Sequence, residues 1–150
     1  MKSIFDKSGL DVITERVKAL EPESKALWGK MDVSQMMAHC NVAFEMTYDN
    51  IHKRPGVFKR FFLKLFIKKA VVGPKPYPKN GPTAPEFKIS EAKDFEKEQS
   101  RLLAYLAKTH DHGSSYFEGR ESHSFGPLTS DEWNVMFVKH LDHHLQQFGV

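Results

Sequence analysis

The feature that most constrains the fold is a histidine pair near the C-terminus, within residues 139–149, KHLDHHLQQFG. Residues four apart lie about 40° from each other around a helix, so His140 and His144 share one face. Leu141 and Leu145 form the adjoining apolar flank, which places the histidines at the edge of the buried face. Two imidazoles at this spacing can bind one divalent metal ion if another segment supplies a third ligand.

The candidate third ligand, His39, belongs to a second predicted helix. Asp32 and Gln35 match a capping box, so this helix is expected to begin after Asp32. It runs to about Ile51, because Pro55 prevents its continuation. The alternative is that the three histidines are hydrogen-bonded core or surface residues. Spacing alone does not decide between the two interpretations.

Helical spacing of apolar residues predicts four principal helices, over residues 9–20, 32–51, 91–110 and from Thr129 to the end. Two long connections join them, residues 72–90 with five prolines and residues 114–128. No alternating apolar pattern is long enough to predict a sheet. We therefore expect an all-α four-helix bundle with long crossover loops, formed as a single domain by residues 1–150.

Residues 57–71 predict an additional helix that is basic and rich in phenylalanine, with Phe58, Phe61, Phe62 and Leu65 in one stripe. Residues 50–85 contain nine Lys and Arg and no acidic residue, whereas the remainder has thirteen basic and nineteen acidic residues. We expect the stripe to pack on the bundle or on a second subunit, as in a homodimer. The alternatives are contact with an anionic membrane surface and attraction of an anionic substrate. Because the basicity is local, a nucleic-acid partner is not expected.

Composition excludes several other classes of protein. The single cysteine, Cys40, excludes an internal disulfide framework and a multi-thiolate zinc site, and it is expected to be a buried core residue. No apolar run reaches the ~18 residues that cross a bilayer. The N-terminal residues lack the apolar region of an export signal, so a cytoplasmic protein is expected.

Several segments resemble one group of proteins: WGKM at 28–31, QMMAH at 35–39, NGPT at 80–83, FGPLT at 125–129 and the C-terminal segment. They resemble an uncharacterised bacterial family of the DinB-like (YfiT-like) superfamily, whose members are metal-binding four-helix bundles. The resemblance extends from about Leu27 to the end of the chain. The basic helix is not part of the superfamily pattern.

The resemblance implies a specific ligand set. The superfamily pattern His-x-x-His-His-x-x-Gln falls on His140, His143, His144 and Gln147. It implies that His39, His140 and His144 are the metal ligands. Gln147 and His143 are then candidates for orienting a ligand or a substrate from beside the metal.

Two classes of function remain open. Some members of the superfamily are transferases or isomerases in which the metal holds a low-molecular-weight thiol, and others have been proposed to be metal-dependent hydrolases. Three imidazoles suit zinc or nickel and leave a coordination position for water or a thiolate. His143, His123, Glu45 and Tyr48 are the candidate general bases for a small-molecule substrate. The other class is a non-catalytic bundle with a structural or vacant metal site, acting through association with a partner.

Overall fold

Four long helices dominate the computed structural model, which describes residues 2–150. Each of the two N-terminal long helices packs against both C-terminal ones, which makes an all-α four-helix bundle as predicted. The long helices are α1 (Lys7–Lys18), α2 (Val33–Tyr48), α5 (Phe95–Phe117) and α6 (Ser130–Gln147). Between α2 and α5 lie α3 (Val57–Phe62), a π-helical turn (Leu63–Ile67), α4 (Lys68–Val72) and a 3-10 turn (Pro85–Phe87). A short antiparallel pair, β1 (Glu121–Ser122) and β2 (Gly126–Pro127), precedes α6.

Both helices that carry the candidate ligands begin at complete capping boxes. The backbone N–H of Gln35 donates to the Asp32 carboxylate at 2.8 Å, and the Gln35 side chain accepts from the Asp32 N–H at 3.1 Å. Thr129 and Glu132 make the same reciprocal pair at the start of α6, at 3.2 and 3.1 Å. Satisfying these N–H groups defines where each helix starts. The register of the histidines on both helices follows from these start points.

An aromatic core holds α2 against α6. The rings of Phe44 and Phe137 stack with centroids 4.8 Å apart, and Trp133 stacks on Phe137 at 5.5 Å. Leu141 and Leu145, the predicted apolar flank of α6, are each 1% exposed. Burial of this flank fixes the rotation of α6 about its axis. It thereby turns the adjoining histidine face toward α2.

Helix α5 begins later and ends later than residues 91–110. Its N-cap is Asp94, whose side chain accepts a hydrogen bond from the Lys97 N–H at 2.7 Å. Gly113 takes the positive φ expected of a residue that ends a helix, with φ 70° and ψ 170°. The chain then resumes a further helical turn to Phe117, which is fully buried. Burial of this ring against Trp133 and Phe137 stabilises the added turn, a tertiary effect that local sequence does not encode.

The basic helix, residues 57–72 and hereafter the basic arm, does not lay its aromatic stripe on the bundle. Phe58 is 85% exposed, and Phe61, Phe62 and Leu65 are 57–62% exposed. The first of the two expected contacts, packing on the bundle, was wrong, because periodicity shows which residues share a face but not what that face contacts. Packing on a second subunit stays a prediction. Within residues 2–150, no helix is both long and apolar enough to cross a bilayer.

Candidate metal centre

Helices α2 and α6 bring His39, His140 and His144 together. One ring nitrogen from each lies within 4.8 Å of the other two. His39 and His144 are buried, whereas His140 is partly exposed. The three rings also contact one another, with centroids 4.4–4.9 Å apart. The convergence expected from helical spacing is therefore present in the fold.

A backbone carbonyl determines the tautomer of His39. The Nδ1 atom of His39 lies 2.7 Å from the carbonyl oxygen of Phe87, in the 3-10 turn. A carbonyl can only accept, so Nδ1 carries the proton and Nε2 keeps its lone pair. That Nε2 atom faces the other two histidines, 2.9 Å from Nε2 of His140.

His144 is oriented in the same way by a side-chain amide. Its Nδ1 donates to Oε1 of Gln147 at 2.8 Å, and Nε2 of Gln147 donates to the carbonyl of Trp28 at 2.6 Å. The Trp28 carbonyl can only accept, so the amide must present its oxygen to His144. Nε2 of His144 is left with a lone pair for the cluster. Hydrogen bonds to the outer nitrogens of metal-binding histidines commonly fix tautomer and ring orientation in this way.

A close backbone approach helps to hold Gln147. Gly29 follows Trp28 with φ +84°, and a Cβ placed there would lie 2.4 Å from Nε2 of Gln147. The backbone N–H of Leu27 also donates to the Gln147 carbonyl at 2.8 Å. Glycine is required here both for the left-handed conformation and for space. The segment before α2 therefore supports the end of α6 beside the histidines.

The contact between His39 and His140 requires either the N–H hydrogen of a neutral imidazole or a metal ion between the two rings. Two nitrogen lone pairs at 2.9 Å would repel each other, so a proton or a cation must lie between them. Nitrogen ligands of a tetrahedral zinc ion lie about 3.3 Å apart, given Zn–N bonds of about 2.0–2.1 Å. The nitrogens in the cluster lie between 2.9 and 4.8 Å apart, so small shifts suffice to reach that geometry.

Burial keeps the three histidines neutral. It lowers the pKa of His144 to about 3, helped by the positive charge that His39 would carry. Burial also lowers the pKa of His39. It lowers the pKa of His140 well below its ordinary value, and repulsion from the charges that His39 and His144 would carry adds to this shift. Neutral imidazoles are the form that binds metal ions. At neutral pH the cluster therefore presents lone pairs rather than charges.

Aromatic side chains of the long connection cover one side of the cluster. The rings of Tyr77 and Phe87 pack edge-on against His140, at 6.4 and 5.7 Å between centroids. Burial raises the pKa of Tyr77 to about 12, so its hydroxyl stays protonated. Both rings are themselves partly exposed, as is His140. The two rings therefore partly shield His140 from solvent.

Of the four candidate general bases, His143 is the one that adjoins the cluster. Its ring lies 4.9 Å from that of His144 and 5.8 Å from that of Tyr77, and burial lowers its pKa. The side chains of the other three candidates bind groups away from the cluster. Glu45 pairs with His52 at 2.7 Å, and His123 contacts the His52 carbonyl at 3.4 Å. The Tyr48 hydroxyl lies 2.9 Å from that of Thr109.

Three groups around the cluster were not identified from the sequence, namely the carbonyls of Trp28 and Phe87 and the ring of Tyr77. A backbone carbonyl leaves no mark on sequence, because every residue has one. Trp28 lies in a segment that carries the family resemblance, but nothing in that segment indicated contact with Gln147. Tyr77 is an aromatic residue between two prolines of a long loop, and such loops are often functional.

Comparison with known proteins assigns this chain to a family. No curated protein and no solved structure matches it. A family model matches residues 4–149, a range that includes the three histidines, Gln147 and the whole basic arm. Because the match covers nearly the whole chain, the protein belongs to the family described as "Protein of unknown function (DUF1569)".

Proposed function

We propose that His39, His140 and His144 bind one divalent transition metal ion, zinc or nickel, and that the protein is a metal-dependent enzyme of the DinB-like superfamily. The observation that carries the proposal is the pair of outer hydrogen bonds, from His39 to the Phe87 carbonyl and from His144 to Gln147. Both bonds leave Nε2 unprotonated and facing the cluster. A histidine that serves only in core packing also needs an acceptor for its N–H, but it does not need its other nitrogen to face two further histidines.

The number of ligands favours a catalytic site over a structural one. Structural zinc sites use four protein ligands, whereas catalytic sites use three and leave a position open. Within residues 2–150, the cluster of potential ligands contains three residues. The partial exposure of His140 supports access from solvent. The alternative is a non-catalytic bundle with a structural metal. Such a site would need a fourth protein ligand, and the cluster contains none among the described residues.

A divalent ion with three neutral ligands would lower the pKa of a coordinated water or thiol, which is the chemistry of a hydrolase or of a thiol transferase. His143 is placed to accept the proton released, because its ring adjoins that of His144 at 4.9 Å, and its lowered pKa leaves it neutral at pH 7. Cys40 does not supply the thiol: it is 1% exposed, its Sγ lies 3.7 Å from Sδ of Met36, and burial raises its pKa. A thiol at this site would therefore be a small molecule.

Elemental analysis of untagged protein tests the metal site. We expect about one equivalent of zinc or nickel in the wild type and its loss in His39→Ala, His144→Ala and His140→Gln. His123→Ala is the matched control and should retain the metal, because its ring contacts the His52 carbonyl instead. Circular dichroism would establish that each variant is folded. Wild-type protein that takes up no metal after reconstitution with either ion would contradict the proposal.

Cobalt-substituted protein separates the two kinds of chemistry. An absorption change on adding a small thiol supports the transferase, and a change with pH alone supports activation of water. In either case, His143→Gln should lower the rate on the corresponding substrate class while leaving the metal bound. A spectrum that responds to neither thiol nor pH would indicate a closed structural site.

A further inference from the structure

The basic arm presents a continuous apolar surface to solvent. Three of its phenylalanines contact one another, with ring centroids 5.9 Å apart for Phe61 and Phe62 and 6.1 Å for Phe62 and Phe66. Phe58 is 85% exposed. Monomeric proteins rarely leave large apolar side chains exposed in one contiguous group without a partner. Exposed fractions of 44–85% are found for Val57, Phe58, Phe61, Phe62, Leu65, Phe66 and Ile67.

The arm is held in this exposed position. Lys139 of α6 is 4% exposed, and its Nζ donates to the carbonyls of Ala70 at 2.7 Å and Gly73 at 2.6 Å, at the end of the arm. Lys68 pairs with Glu132 at 2.7 Å. A cleft of about 220 Å³ separates Phe61 from the β1–β2 turn at Phe125. Arg60 in the aromatic half also pairs with Glu121 of β1, and Lys59 pairs with Glu86 at 3.7 Å. The arm is therefore held at both ends, and its phenylalanine rings are left exposed to solvent.

Unpaired cations accompany the apolar surface. Lys64 and Lys69 on the arm, and Lys53 and Arg54 just before it, are exposed and form no ion pair with any residue in the described part of the chain. No acidic residue occurs in residues 50–85. The surface therefore combines exposed aromatic rings with an uncompensated positive charge.

We propose that the basic arm docks the protein onto an anionic lipid surface. The aromatic rings enter the boundary between headgroups and acyl chains, and the free lysines contact the headgroup phosphates. The positive charge of the arm favours an anionic lipid surface over a second copy of the chain as its binding partner. A two-fold symmetric dimer through the arm would bring the same unpaired cations together, which is repulsive.

Sedimentation with lipid vesicles tests the proposal. Full-length wild-type protein should bind vesicles of equal parts phosphatidylglycerol and phosphatidylcholine at low salt. Binding should be at least about tenfold weaker on phosphatidylcholine alone, and it should weaken as salt is raised. Lys64→Glu with Lys69→Glu, and separately Phe62→Ser with Phe66→Ser, should each lower binding to the mixed vesicles by about tenfold or more.

A control variant tests whether vesicle binding depends on the arm itself or only on the net charge of the protein. Lys7→Glu with Lys18→Glu makes the same change in net charge on α1, at two exposed positions, and should leave vesicle binding within about twofold of the wild type. All the substituted side chains are exposed, so the bundle should stay folded. Absence of wild-type binding to the mixed vesicles would overturn the proposal. So would a concentration-dependent dimer abolished by Phe62→Ser with Phe66→Ser, which would assign the surface to a second copy.

Discussion

Nδ1 of His144 lies 2.8 Å from Oε1 of Gln147, one helical turn further along α6. The Gln147 amide cannot flip, because its nitrogen is bound to the Trp28 carbonyl at 2.6 Å. The tautomer of His144 therefore depends, through Gln147, on the backbone carbonyl of Trp28, which lies outside α6.

Gln147→Leu should weaken metal binding by about tenfold to a hundredfold, because His144 loses the acceptor that fixes its tautomer. Competition with a chromophoric chelator measures the affinity. The matched control is Gln146→Leu, the neighbouring exposed residue, whose side chain donates to Asp142 at 2.7 Å. Equal affinities in the two variants would show that the amide has no part in holding the ligand.

Gly29→Ala should destabilise the protein and weaken metal binding together. The added Cβ would lie 2.4 Å from Nε2 of Gln147, and the residue would be held at φ +84°. Gly119→Ala separates the two effects, because its φ is +69° and no atom lies within 4 Å of its Cβ. Denaturant unfolding should show a backbone cost of about 1–3 kcal/mol in both variants. A loss of metal affinity should occur only in Gly29→Ala, and the same loss in Gly119→Ala would contradict this account.

The metal-free protein should lose stability as the pH is lowered. Burial lowers the pKa of His144 to about 3, from 6.5 in the unfolded chain. Between these pH values the unfolded state binds a proton that the folded state does not. The free energy of unfolding therefore falls with decreasing pH, by about 1.4 kcal/mol per pH unit for each such group.

Urea unfolding in the presence of a chelator, from pH 7 to pH 5, would measure this slope. His144→Asn should reduce the slope by the contribution of one proton, because the variant has no imidazole to protonate at this position. A slope unchanged in the variant would mean that His144 does not titrate as its burial requires.

Arg101→Met should destabilise the bundle by about 3 kcal/mol, because it leaves buried carboxylates without their cation. Arg101 pairs with Glu98 at 2.8 Å and also with Glu45, and these two side chains are 5% and 10% exposed. The exposed pair Lys7–Asp11 provides the comparison, and Lys7→Met should cost less than about 1 kcal/mol. Thermal or denaturant unfolding measures both, and similar losses would contradict the assigned role of burial.

The sequence indicated which histidines would meet but not what holds them. Capping residues Asp32 and Thr129 and the apolar flank of α6 are local signals for where the two helices start and which face is buried, and they made His39, His140 and His144 candidates to meet. The contacts of Phe87 and Trp28 with the cluster arise from loops folded across the bundle. Their positions depend on tertiary packing, which has no local signature in the chain.

For the basic arm, the sequence predicted a helix with an apolar stripe but not what that stripe contacts. Its phenylalanines follow helical spacing as clearly as those of a core helix, and that pattern favoured packing on the bundle or on a second subunit. In the structure the rings face solvent instead, and polar contacts hold the arm: Lys139 binds the carbonyls at its end, and Arg60 pairs with Glu121. A single buried lysine on α6 could not be recognised as an anchor from its neighbours in sequence.

Lys139 and His140 are consecutive residues of α6, one bound to the arm and the other part of the histidine cluster. A helix is stiff over so short a distance, so the arm and the cluster cannot move independently at this point. On a lipid surface the protein would therefore carry its histidines at a constant height above the headgroups. Molecules lying in that layer would be its nearest ligands, ahead of those free in bulk water.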